Sequence, residues 1–402
     1  MKYIQTHKFL NNSISVRTVL PFDIKRVTLL NLLVLMMQMK TEKYSTKSQI
    51  AIRLGQSYSF RYSVHLSGIG NQILLDQRFQ YIQNGVLPKD FDSQNWIDII
   101  DEFLYHTLID QNSFDEAKFL LRERLSQLED DPETYAMNLC LSLLSPTHTV
   151  SHSLYGSLDD LEQISFEDCV SLLQQIQQKP KKVFICGHAD SKVLAYFSRI
   201  NQLSDISRIS NLYKESSKKV TRVFKSRSQS ILCLAYSTNI DIDSDDHMAE
   251  VLAVSVLGQC TNNLLFRTIR EQYSLCYSIY ASLIHFDGIM TIQVGTSREH
   301  IDRVLELIDE QIELLRNACF SADLLECAKK EWIDSIRIQK DDPFGLINQA
   351  FREEFLKDSL PDSQKIAMIN KVSIDQISLA ASKFRQCSVA IVEGTSNEES
   401  GY

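Results

Sequence analysis

Polar and apolar residues alternate at Ile14, Val16, Thr18 and Leu20 up to Pro21, the two-residue period of a half-buried strand. The pattern then changes to helical spacing and predicts a helix over 27–40. The same succession returns later: Ile231, Cys233 and Ala235 alternate, and a longer helix is predicted over 244–271. Two amphipathic helices follow the same logic, one presenting Trp96, Ile97, Ile100, Phe103, Leu104 and Leu108, the other Ile301, Val304, Leu305, Ile308, Ile312 and Leu315. Charged helices over 114–128 and 322–338 each run into Asp-Asp-Pro. Proline suits the first helical position and aspartate the cap before it, so Asp131 and Asp342 are expected to start new helices as structural rather than catalytic carboxylates. Buried strands over 183–186 and 389–392, near Gly187 and Gly394, close the two series.

The recurrence extends to the residues themselves. Tyr58-Ser59-Phe60-Arg61-Tyr62-Ser63 returns as Tyr273-Ser274-Leu275-Cys276-Tyr277-Ser278, displaced by 215 residues (58 to 273), and Asp130-Asp131-Pro132 returns as Asp341-Asp342-Pro343, displaced by 211 (130 to 341). Echoes in one order at near-constant spacing imply a duplicated unit. The Tyr-Ser segment reads as a strand in both copies, paired antiparallel with a second strand at 73–76 or 288–294. The expected fold is α+β: two homologous halves, each a mostly antiparallel sheet with helices packed on one face, facing each other as a clamshell. The expected division is a first half over 1–200, a partly helical connector over 201–228 and a second half over 229–402.

Charge narrows the function. The 402-residue chain has a formal net charge of −9, which argues against coating nucleic acid. The basic run Lys214, Lys218, Lys219, Arg222, Lys225 and Arg227 reads as a solvated stretch of the connector. Nine scattered cysteines without a C-x-x-C pair read as reduced thiols, hence a cytoplasmic protein. The apolar run at 27–37 is interrupted by Thr28 and Asn31, and it falls short of the ~20 residues a membrane span needs. The N-terminus lacks a signal-peptide core, so no membrane association is expected.

The two α+β halves, the segment Leu265-Phe266-Arg267-Thr268-Ile269-Arg270-Glu271 before a tyrosine-bearing strand, and the Asp-x-Pro turn followed by Tyr155-Gly156-Ser157-Leu158-Asp159-Asp160-Leu161 resemble the insulinase/pitrilysin-type zinc metallopeptidases. The likeness is to their two-domain, processing-peptidase-like branch, and it covers nearly the whole chain. It implies an H-x-x-E-H motif on the first helix, where two imidazoles and a distant carboxylate hold zinc and the intervening Glu takes a proton from bound water. That motif falls here on Asn31-Leu32-Leu33-Val34-Leu35, and the third ligand on Arg124 or Glu123. No H-x-x-E-H occurs in either direction, so no metal and no cofactor are expected.

The resemblance also implies substrate-binding roles for Arg270 and Tyr277, whose guanidinium and phenol can donate hydrogen bonds to a carbonyl gaining negative charge. A plain alternative is a helix-end arginine pairing with Glu271 and a tyrosine packed in the sheet. The implied function is a non-catalytic subunit of a heterodimeric zinc peptidase, closing the chamber and contributing Arg270 and Tyr277 to an active, zinc-bearing H-x-x-E-H partner that acts on a peptide or protein substrate. Relatives of this kind are associated with elongation factor P modification. The alternative is a stand-alone peptide-binding or scaffold protein. Two further constellations have plain structural readings beside a chemical one: His148 with His152, in a loop where four-residue spacing does not converge two rings, and Cys186 with His188, a conceivable thiol-imidazole couple of a relocated hydrolase in which Cys186 continues an apolar run.

Overall fold

The computed structural model describes residues 1–88, 91–202, 209, 211–214, 217–356 and 360–394. In chain order its elements begin with β1 (Lys2–Gln5), β2 (Asn11–Pro21), α1 (Ile24–Met36), α2 (Lys47–Gln56), β3 (Arg61–Ile69), β4 (Gln72–Ile82), α3 (Gln94–Tyr105), α4 (Gln111–Asp130) and α5 (Pro132–Ser142). They continue with α6 (Leu158–Gln163), α7 (Phe166–Gln178), β5 (Lys182–Gly187) and α8 (Ser191–Ile200). The second series is β6 (Lys219–Lys225), β7 (Ser230–Ser237), α9 (His247–Val254), β8 (Cys276–Ile284), β9 (Ile289–Thr296), α10 (Ile301–Arg316) and α11 (Ala322–Gln339), then α12 (Pro343–Phe355), α13 (Asp362–Lys371), α14 (Ile374–Ala381) and β10 (Arg385–Gly394).

Two five-stranded sheets result, ordered β1-β5-β2-β4-β3 and β6-β10-β7-β9-β8. In each, one outer pair runs parallel (β1 with β5, β6 with β10) and the remaining pairs are antiparallel. The topology is the same sheet twice, as the sequence echo requires. The echo itself marks a tight turn: Ser59 and Ser274 adopt φ of 57° and 55° just ahead of β3 and β8. The α+β reading with two homologous halves is therefore borne out.

The segments sort into two compact units, which follow the sheets rather than the order of the chain. One unit comprises Met1–Gln127, Leu154–Ile209 and Gln339–Phe355; the other comprises Leu128–Ser153, Ser210–Ile338 and Leu356–Tyr402. Each half thus contributes the helix after its Asp-Asp-Pro to the unit built on the other half's sheet. In the first unit, Ile14, Val16, Phe79, Val183 and Ile185 pack beneath Trp96, Ile100 and Phe103 of α3 and Phe197 of α8, and Leu20, Ile73 and Leu75 pack beneath α1 and α7. The reverse face, with Leu74, Phe184 and Cys186, is covered by Ile347, Ala350 and Phe351 of α12. In the second unit Leu232, Leu234, Met290 and Ile292 pack against α9, α10 and α14, while Ile231, Cys233 and Ala235 on the reverse face receive Ala136 and Cys140 of α5. Among the described residues, each sheet carries, besides the helices of the main layer, one α-helix on its back. The caps behave as expected: Asp131 Oδ1 accepts from Thr134 N at 2.7 Å, and Asp342 accepts from Phe344 N and Gly345 N at 3.0 and 2.9 Å.

Two expectations need correction. The helix predicted over 244–271 is broken into α9 and two π-helical turns, Ser255–Gln259 and Phe266–Gln272. A Cβ at Gly258 would lie 2.8 Å from Ala281 Cβ of β8, so the first turn passes too close to the sheet for a side chain, and Asn263 Oδ1 restarts the helix by accepting from Phe266 N at 2.8 Å. Within the predicted partly helical connector, Lys219–Lys225 is strand β6, an outer strand in which Val220, Arg222 and Phe224 are exposed and Thr221, Val223 and Lys225 half-buried. Residues 203–208, 210 and 215–216 of that connector lie outside the described residues.

Candidate functional site

Helix α1 carries the positions where the zinc motif would fall. Asp23 caps it by accepting from Lys25 N at 3.1 Å. Two turns in, the Asn31 amide donates to Val27 O at 2.9 Å and to Leu154 O at 2.8 Å. Val34, at the place of the catalytic base, is buried among Leu30, Leu33, Val64 and Leu75, and Leu35 is half-buried. Segment 154–157 lies along this helix. Ser157 N donates to Thr28 Oγ1 at 3.1 Å, and Gly156, at φ +88°, comes so near that a Cβ there would sit 2.8 Å from Thr28 Cα. Arg124, on α4, places its guanidinium 5.3 Å from the centre of the Tyr155 ring, a cation–π contact. Glu123 beside it is exposed. The structure thus gathers Asn31 and Arg124 around residues 154–155, but as an amide whose nitrogen is bonded to carbonyls and a cation, neither of which is among the usual ligands of zinc. Among the described residues, no group of three or more His, Cys, Asp or Glu side chains is arranged to hold a metal ion.

Arg270 and Tyr277 lie on either side of the passage from helix to edge strand in the second unit. Arg270 sits in the π-helical turn Phe266–Gln272, exposed, with its guanidinium 5.0 Å from the Phe266 ring centre. The pairing of β8 with β9 shifts register between Cys276 and Ser278, which leaves Tyr277 at a bulge and 60% exposed. Bulges and π turns both re-aim side chains, and both recur at functional sites. Three residues on, the Tyr280 hydroxyl donates to Gln293 Oε1, whose amide donates to Glu133 O at 2.8 Å. Strand β8 is an outer strand of its sheet. An exposed arginine, an exposed phenol and an outer strand are the parts needed to hold an extended peptide backbone.

The remaining candidates are accounted for structurally. His148 Nε2 lies 2.6 Å from Asn211 O and His152 Nε2 lies 2.9 Å from Pro146 O, so each ring engages a different carbonyl. Cys186 is fully buried on β5, where burial foremost and then Asp342 push its thiol up to about 11; it is not a nucleophile at neutral pH. His188 instead stacks near His7, with ring centres 4.3 Å apart. One cluster escaped the sequence reading. His247 Nδ1 lies 2.8 Å from Glu250 Oε2, and its Nε2 lies 3.4 Å from His285 Nδ1. A histidine and a glutamate three apart, opening the helix after buried strand β7, were the available signal.

Comparison with known proteins places this geometry. Residues 182–331 match the family described as Peptidase M16 inactive domain. A Bacillus subtilis (strain 168) protein called "Uncharacterized zinc protease YmxG" is 20% identical over 266 residues, a match spanning 65% of this chain and 64% of that protein's length. A solved structure of a conserved protein from Enterococcus faecalis V583 superposes with a TM-score of 0.91 at 20% identity, covering 99% of this chain and 96% of that one. The structure of a peptidase M16 inactive domain from Pseudomonas fluorescens gives 0.77 at 15% identity, covering 98% and 95%. The fold is thus shared with these two-unit structures, and the resemblance to the insulinase/pitrilysin type is borne out. No helix among the described residues is long and apolar enough to cross a membrane.

Proposed function

We propose that the chain is the non-catalytic subunit of a two-chain zinc peptidase. It closes the chamber of an active partner bearing H-x-x-E-H and presents Arg270 and Tyr277 to the peptide bound there. The observation that carries this reading is the state of α1: the motif positions are Asn31, Val34 and Leu35, the Asn31 amide is bonded to Leu154 O, and Val34 is buried. Such a helix can neither bind zinc nor activate water. The exposed guanidinium and phenol beside edge strand β8 support the substrate-holding part, because an extended peptide adding to that edge would bring its carbonyls to them. The nine free cysteines support a cytoplasmic location. The association with elongation factor P modification rests on family resemblance alone.

The test is hydrolysis of an extended fluorogenic peptide by the chain alone, by the zinc-bearing sister from the same cell, and by their mixture. Full activity is expected only in the mixture. Arg270→Ala should lower it about 100-fold, the usual loss for one oxyanion donor, and Tyr277→Phe should lower it less. Undiminished activity with both substitutions removes the trans-acting role; chelator-resistant hydrolysis by the pure chain removes the non-catalytic reading. The alternative, a stand-alone peptide-binding protein, uses the same strand edge and predicts peptide binding with no sister present.

A further inference from the structure

We propose that His247 and His285 form a two-imidazole site for a divalent first-row transition ion such as Zn²⁺, in the second unit and independent of the proposed peptidase role. His247 is the first residue of α9, and His285 follows the last residue of β8, so two separate elements bring the rings together. His247 Nε2 and His285 Nδ1 stand 3.4 Å apart, with ring centres 5.3 Å apart and planes at 73°. That separation is long for a shared proton, where ordinary bonds lie at about 2.7–3.2 Å. It equals the spacing of two nitrogens each bound at about 2.0–2.1 Å to one tetrahedral ion, roughly 3.4 Å.

The surroundings fit a metal better than a neutral pair. Glu250 is 1% exposed, and its Oε2 takes the other nitrogen of His247 at 2.8 Å. A carboxylate on the far nitrogen is the usual support of a metal-bound imidazole, fixing the tautomer and raising its basicity. The second Glu250 oxygen, Oε1, is buried with no hydrogen-bond partner. A positive charge at His247 would offset the carboxylate. The start of a helix disfavours a cation, but Asp243, Asp245 and Asp246 precede α9 and supply opposing charge. With two protein nitrogens as its ligands, the site is of moderate affinity. Glu250 is occupied with His247 and is not arranged as a base.

The experiment is calorimetric titration of chelator-stripped full-length chain with Zn²⁺, paired with the zinc-induced rise in melting temperature. One equivalent should bind. His285→Ala should weaken binding at least about 30-fold and abolish the thermal shift, and Glu250→Gln should weaken it about 10-fold, within the usual range for an outer-shell partner. His247→Ala leaves Glu250 buried without a partner and is prone to destabilise, so His285→Ala decides. Asn31→Ala and His148→Ala should leave binding unchanged. Equal binding by wild type and His285→Ala, or no saturable binding below millimolar zinc, overturns the proposal. Neither result bears on activity with a sister chain.

Discussion

Helices α5 and α12 occupy matching places in the two units, yet the chemistry beneath them differs. Both follow Asp-Asp-Pro, and Cys140 and Phe351 are related by the displacement of 211 that relates the prolines. Under α12, Phe351 rests 4.5 Å from the Arg17 guanidinium, which is 1% exposed and held by Asp76 at 3.4 Å and by Asn348. Arg78 also pairs with Asp76, at 2.8 Å. Under α5, Cys140 Sγ lies 3.2 Å from Ser388 Oγ, which donates to Cys140 O at 2.8 Å, and Cys233 Sγ lies 3.8 Å from Met137 Sδ. Duplication has kept the shape of the docking and not its means. A buried ion network is therefore not a requirement of this architecture, only one solution to it.

That contrast can be broken most sharply at Asp76. Asp76→Ala strands Arg17 in the interior and should cost about 3–5 kcal/mol, read from chemical denaturation; a loss under 1 kcal/mol would mean that the guanidinium finds water. Asp287, a buried carboxylate of the other unit, is hydrogen-bonded by Asn211 and Thr149 and has His148 Nδ1 at 3.9 Å, and burial pushes it up to about 7. Its folded-state pKa exceeds the unfolded value, so the native form holds a proton that the unfolded chain has released. Its contribution is fully present below about pH 4 and is lost as pH rises to about 7, by an amount of order a few kcal/mol. Asp287→Asn should flatten that decline in melting temperature between pH 5 and 8, and an unchanged profile would assign the slope to other groups. Cys140→Ala should cost only about 1–2 kcal/mol, a small-group deletion; a loss equal to that at Asp76 would erase the distinction drawn here. Asp131→Ala and Asp342→Ala should each remove about 1 kcal/mol through their caps, and near-equal values by thermal melting would show that the two helix starts have stayed equivalent.

The features legible in the sequence were those written in local periodicity or in a fixed chemical requirement. Alternation at Ile14 to Leu20 and at Ile231 to Ala235 located β2 and β7, and Asp-Pro located the starts of α5 and α12. The absence of a metal-binding set on α1 was readable because zinc tolerates few ligand types. Strand β6 was hidden in a polar stretch, with basic residues at both exposed and half-buried positions. The interruption after α9 was hidden because apolar spacing continues through Val256 and Leu257 into Leu264 and Leu265, and only the approach of Gly258 to β8 breaks the helix. The closure of α1 by Leu154 and the meeting of His247 with His285 depend on residues 123 and 38 positions apart, a range at which spacing carries no information.

The exchange of α5 and α12 gives the molecule the logic of a clasp. Severing the chain near its midpoint, into 1–200 and 229–402, would not release two self-sufficient proteins. Each fragment would keep the helix belonging to the other's sheet and would bare the apolar back of its own, Leu74 and Phe184 in one and Ile231 and Ala235 in the other. Made separately, such fragments should aggregate through those faces; made together, they should complement one another without a covalent join.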